Sequence, residues 1–245
     1  ASALQLSRQE LWKARSERVW PARDEKILVS WNGLMISAMA QASQVLSEPK
    51  YAQAAQNACD FILSRLREPD GRLLHCFKDG RSRFNAYLDD YACLIDGLVN
   101  VYQATFDVRY LVSALEFAER MIEKFQDRES GAFFYTSSDH EELIARNKDS
   151  QDDATPSGNG MAATALLRLA RICSRGDLED TAVRTLESLS GQIVHTAMAS
   201  GQALIALDFL LGPTYEFVIA DGPQLEDGNA MLDEVSTRFL PNKVV

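Results

Sequence analysis

The sequence predicts a mainly α protein assembled from repeated αα-hairpins, with short β-hairpins between units and a small βαβ-like appendage near its C-terminal end. Three observations predict it. Apolar residues recur at helical spacing along most of the chain, the helices come in pairs of unlike character, and the pairs repeat at a period of ~60 to 70 residues.

The second member of each pair is amphipathic. Tyr51, Ala54, Ala55, Ala58, Phe61, Ile62 and Leu66 mark one helical face, and Leu111, Ala114, Leu115, Ala118, Met121, Ile122 and Phe125 repeat it. A weaker copy runs through Leu178, Ala182, Leu186, Leu189 and Ile193. Each is preceded by a helix with small and apolar residues around more of its circumference: GLMISAMAQASQVL from Gly33, LDDYACLIDGLVNVYQATF from Leu88 and GNGMAATALLRLARIC from Gly158. Helices apolar on most sides are enclosed by others. The unit is therefore an enclosed helix followed by an outer one.

Connections within a unit are short, as at SEPK and DVR. Those between units, GRLLHCFKDGRSRFNAY and GAFFYTSSDHEELIARNKDS, are long, begin at a glycine turn, and read as β-hairpins or extended loops. In a stack of antiparallel hairpins all the long connections fall at one end, which becomes the elaborated face.

The N-terminal RQELWKARSERV reads as a charged helix leading into the loop WPARDEKILVS. After the third pair, MASGQALIALDFLLG adds a helix from Met198 to Leu211. TYEFVIAD is then a buried-strand pattern, QLEDGNAMLDEVSTRF a short helix and PNKVV another strand start. The expected division is a helical portion over 1–212 and an α/β appendage over 213–245.

Composition narrows the function. A net charge of −10 with no cluster of Lys and Arg argues against a nucleic-acid partner. No apolar run approaches the ~20 residues of a membrane span, and ASALQLSRQE lacks the regions of a signal peptide, so a cytoplasmic protein with no membrane partner is expected. Cys59, Cys76, Cys93 and Cys173 contain no CxxC pair and are expected as buried free thiols. His75, His140 and His195 have no zinc-type spacing, so no metal or cofactor is expected.

Because the units repeat, the polar residues just ahead of each enclosed helix are expected at one mouth. They are Trp31 and Asn32, then Tyr87, Asp89, Asp90 and Tyr91, then Asp152, Asp153, Ser157 and Asn159. Asp, Ser and Asn are favoured N-caps, which accounts for any one of them. Caps do not call for Trp, Tyr and doubled aspartates. Rings beside carboxylates and amides suit a carbohydrate site: sugar faces stack on rings, hydroxyls bind the polar groups, and two carboxylates serve as acid and base. The candidate acids or bases are Asp89, Asp90 and Asp152, with Trp31 and Tyr91 as stacking platforms and Asn32 and Asn159 as hydroxyl ligands. Lys26 and Arg146 stand in the preceding loops, where a cation orients such acids. His140, in the connection before Asp152, is the histidine with the best claim on the site.

Four stretches, RSERVWPARDEKILVSWNGLMISAMAQAS, AYLDDYACLIDGLVNVYQATFD, DATPSGNGMAATALLRLAR and ALDFLLGPTYEFVIADG with LPNKVV, together resemble the C-terminal region of the thioredoxin-domain proteins of the spermatogenesis-associated type. The resemblance implies an α/α toroid similar to N-acylglucosamine 2-epimerases and six-hairpin glycosidases. Three hairpins and one extra helix make about half of such a ring, so the chain is expected to be a fragment that meets either its missing N-terminal region or another copy of itself through exposed helices. The family motif usually has a different residue at Asp153, which leaves Asp152 the better candidate. Two functions fit. One is a sugar isomerase, epimerase or glycoside hydrolase acting on a small sugar through carboxylates at the mouth. The other is a noncatalytic scaffold for a thioredoxin-like domain.

Overall fold

The computed structural model describes residues 2–141, 144–220 and 226–245. Three helical hairpins form its body: α2 (Val29–Val45) with α3 (Pro49–Arg65), α4 (Leu88–Thr105) with α5 (Val108–Phe125), and α6 (Gly158–Cys173) with α7 (Gly176–His195). They follow α1 (Ser2–Ser16) and precede α8 (Gly201–Leu211). In each hairpin the first helix is the more enclosed. α4 is buried around nearly its whole circumference, while α5 buries one stripe, Tyr110, Ala114, Phe117, Ala118, Met121 and Phe125. The predicted face was centred a little to one side: Leu111, Leu115 and Ile122 flank that stripe half-buried.

The helices stop and start where the sequence supplies the means. Pro49 opens α3, Asp107 caps α5 by accepting the Arg109 N–H, and Phe106 ends α4 in the left-handed conformation at φ 54°. The enclosed helices approach backbone to backbone. A Cβ on Gly33 of α2 would fall 2.6 Å from the carbonyl carbon and oxygen of Cys93 in α4, so only glycine permits this crossing.

Short strands brace the mouth. β1 (Ile27–Leu28) pairs antiparallel with β2 (Leu74–Lys78), which pairs antiparallel with β3 (Arg81–Asn85) across a tight turn at Asp79 and Gly80, both at positive φ. The expected hairpin between the first two units is therefore present. Among its described residues the second long connection does not form one. The bridge Gln126–Phe133 joins it to the residue after α5, and side-chain clamps described below hold it.

At the C-terminal end β4 (Tyr215–Glu216) and β5 (Lys243–Val244) pair in parallel, with α9 (Glu226–Thr237) between them. The strand expected to be buried over TYEFVIAD is only two residues long and exposed, because β5 alone pairs with it among the described residues. The expected start of the last helix, at Gln224 and Leu225, lies outside the described residues. No described helix is long and apolar enough to cross a membrane. Cys59, Cys76 and Cys93 are buried free thiols and Cys173 is half-buried.

Candidate functional site

The loop before α4 and the strand β2 meet over a buried carboxylate. Asp90, fully buried in the first turn of α4, accepts the Tyr87 N–H at 3.0 Å, closing the helix start from its third position. Its oxygens also accept the Ser30 N–H of α2 at 2.9 Å and contact His75 Nδ1 of β2 at 2.7 Å. One anion therefore joins the starts of two enclosed helices to the strand between their units. The hydrogen bond from His75 holds its imidazole pKa above the usual value, against the opposing effect of burial.

The preceding residue is Asp89. Its Oδ1 is buried without a hydrogen-bond partner among the described residues. Burial, reinforced by the adjacent Asp90 charge, raises its pKa to about 6, while His75 and a hydrogen bond from Ser30 pull in the opposite direction. A carboxyl group that titrates near neutrality suits proton transfer.

Aromatic rings surround this pair. Tyr87 stacks on Tyr135 with ring centres 4.8 Å apart and planes within 9°. His75 meets the Tyr87 ring edge-on at 5.1 Å, and His140 lies tilted beside it at 5.6 Å. The Tyr135 backbone carbonyl accepts the Leu88 N–H, which ties the second connection to the start of α4. His140 Nδ1 is buried with no partner among the described residues.

Asp90, Asp89 and Lys26 act electrostatically on His75, the Lys26 ammonium itself pairing with Asp24 at 3.2 Å, while His140 lies against the Tyr87 ring. Trp31 stands beside Ser30 in the first turn of α2 and is 63% exposed. Other candidates serve the scaffold. Tyr91 is buried against Phe117 and Phe125 and its hydroxyl accepts the Leu73 N–H, so its ring is committed to the core. Asn159 is fully buried, accepting the Phe133 N–H and donating to the carbonyls of Phe133 and Asp149. Asn32 donates to the Leu28 carbonyl one turn back. Arg146 donates to the Thr136 carbonyl and lies over the Phe134 ring.

Asp152 spends both oxygens on backbone donors, Ser157 N–H at 2.9 Å and Gln202 N–H at 2.8 Å, joining the starts of α6 and α8. Ser157 is the cap of α6. Asp152 and Asp90 thus play parallel parts, each an anion shared by neighbouring enclosed helices. Sequence reasoning placed His75 in a strand but not in the site, and it passed over Tyr135. The signal for His75 was a lone polar ring in an apolar strand run shortly ahead of a doubled aspartate. Among the described residues no group of three or more His, Cys, Asp or Glu is arranged to hold a metal ion.

Comparison with known proteins identifies the ring to which this arrangement belongs. Spermatogenesis-associated protein 20 of Rattus norvegicus is 30% identical over 247 aligned residues, covering 97% of this chain and 31% of that protein. Nearly the whole chain is similar to spermatogenesis-associated protein 20. It spans about a third of the length of the relatives it matches. No family model matches the chain. Among solved structures, an α-mannanase of glycoside hydrolase family 76 from Bacteroides thetaiotaomicron superposes with a TM-score of 0.56 at 18% identity, covering 70% of this chain and 47% of that one. The cellobiose 2-epimerase of Spirochaeta thermophila superposes with a TM-score of 0.54 at 16% identity, covering 67% and 43%. These neighbours establish the fold: the chain has the αα-hairpin arrangement of an α/α toroid of the six-hairpin type.

Proposed function

We propose that the mouth of this toroid carries out proton transfer on a sugar, as an isomerase or epimerase. The observation that carries the reading is the pairing of unlike groups: Asp89, whose buried Oδ1 has no hydrogen-bond partner among the described residues, next to a His75 imidazole held by Asp90. Above about pH 6 Asp89 is ionised and serves as base toward a C–H beside a sugar carbonyl. His75, whose imidazole pKa is raised by its hydrogen bond to Asp90, serves as acid toward the carbonyl oxygen through Nε2, since Nδ1 is engaged. Tyr87 and Trp31 supply rings for the apolar face of the sugar.

Hydrolysis of a glycosidic bond ordinarily needs two carboxyl groups flanking it. Here Asp90 is inaccessible and both oxygens of Asp152 are engaged, which leaves Asp89 as the one acid with free capacity among the three candidates. Both reaction types occur on this fold, as the mannanase and the epimerase illustrate. The test is to incubate the full-length protein with glucose, mannose and cellobiose and, separately, with aryl glycosides. Formation of an epimer or ketose, lost in Asp89→Asn and His75→Gln, supports the reading. Release of the aryl group without isomerisation would replace it with a hydrolase.

A further inference from the structure

The concave wall formed by the enclosed helices is unexpectedly polar. Ser37, Gln41 and Gln44 recur at spacings of four and three on α2, and Asp96, Asn100 and Gln103 repeat that spacing on α4. Gln41, Gln44 and the α4 trio face a cavity of about 500 Å³, whose far side is the segment from Ser236 to Val245. That volume is within the range of small-molecule sites. The cavity shares no lining residue with the cluster around Asp89 and His75.

Its charged side chains are each engaged, Arg238 by Glu234 outside the cavity. Arg168 of α6 donates to Asp96 at 2.5 Å and to the Asn100 side-chain carbonyl at 2.9 Å, and Asp96 also accepts from Ser37 and Asn100. Lys243, also on the wall, donates its ammonium to the Val235 carbonyl near the C-terminal end of α9, where the helix dipole favours a cation. What remains is neutral. Among the described residues the Gln103 amide NH2 and the side-chain carbonyls of Gln41, Gln44 and Gln202 make no hydrogen bond, although Gln103 accepts the Val245 N–H and the other three donate through their own amides.

Free donors and acceptors in one cavity match hydroxyl groups, which both donate and accept, while the cations on the wall are already held by Asp96, Glu234 and the Val235 carbonyl. Polar stripes on otherwise enclosed helices also conflict with dry packing, a conflict expected where a protein binds something. We infer that this cavity is a second binding site, separate from the mouth, for an uncharged polyhydroxylated molecule of mono- or disaccharide size.

The test is isothermal titration of the full-length protein with cellobiose, maltose and trehalose, with glucuronic acid and glucosamine as charged comparators. Saturable binding of a neutral sugar should persist in Tyr87→Ala, which damages the mouth. It should weaken about tenfold or more in the double variant Gln41→Leu with Gln202→Leu, as loss of hydrogen-bonding amides predicts. Gln41 is exposed, so its replacement spares the core, and Gln41→Leu alone serves if the double variant does not fold. Absence of saturable binding by all three neutral sugars, binding lost in Tyr87→Ala but kept in Gln41→Leu, or tighter binding of a charged comparator would each overturn the inference.

Discussion

The His75 imidazole lies 2.7 Å from the Asp90 carboxylate, although the two are fifteen positions apart and belong to different elements. The same carboxylate holds the Ser30 and Tyr87 N–H groups, so removing it leaves several donors unmatched in the interior. Asp90→Ala should lower stability by about 3 kcal/mol in urea unfolding. Asp90→Asn keeps the shape but removes the charge. The His75 titration midpoint, followed by NMR, should then fall, and an unchanged midpoint would show that Asp90 does not set it.

Asp89 carries the opposite sign. Its pKa rises on folding from the ordinary carboxylate range to about 6, so the folded state holds a proton that the unfolded state releases. Its contribution to stability is therefore greatest at low pH and is lost as pH climbs toward 6. Asp89→Asn should stabilise the protein by about 1 to 2 kcal/mol at pH 7 to 8, with the difference vanishing near pH 4. Thermal melts across that range check it.

The pair also sets a pH window for activity. Turnover should rise as Asp89 ionises near pH 6 and decline as His75 loses its proton above the usual imidazole range. Rate profiles of Asp89→Asn should lack the acid limb, and those of His75→Gln the alkaline limb.

At Gly33 the scaffold has no slack. An added methyl would strike the Cys93 backbone, which cannot rotate aside as a side chain would. Gly33→Ala should cost about 3 kcal/mol by forcing α2 and α4 apart. A melting temperature equal to that of the parent protein would refute the tight crossing.

The thiols should differ in reactivity. Burial pushes the Cys59 thiol up to about 12 and the Cys93 thiol higher still, whereas Cys173 is half-buried and less perturbed. In native protein Cys173 should react first with a disulfide reagent. Cys59 and Cys93 should react only on unfolding.

The helix pairs were legible because burial imposes a period: the spacing from Leu111 to Phe125 allows only a helix with one apolar face, and α5 is that helix. The doubled aspartate was legible as the start of an enclosed helix because the unit repeats. What each acid does there was not. Asp89 and Asp90 are adjacent in the sequence, yet Asp90 holds the Ser30 and Tyr87 N–H groups and His75, while Asp89 Oδ1 is buried without a hydrogen-bond partner among the described residues. His75 was hidden because its partner lies on another element. Tyr91 and Asn159 had the right chemistry for a sugar site, but their surroundings commit them to the core and to a loop clamp.

Deuterium exchange from solvent into the sugar tests the central claim most directly. The full-length protein should incorporate solvent deuterium at C2 of glucose, mannose or cellobiose, read by NMR. In Asp89→Asn the rate should fall by about a hundredfold or more while the protein still binds the sugar. No exchange into any of the three sugars by intact protein, or an undiminished rate in Asp89→Asn, would contradict a proton-transfer site built on Asp89 and His75.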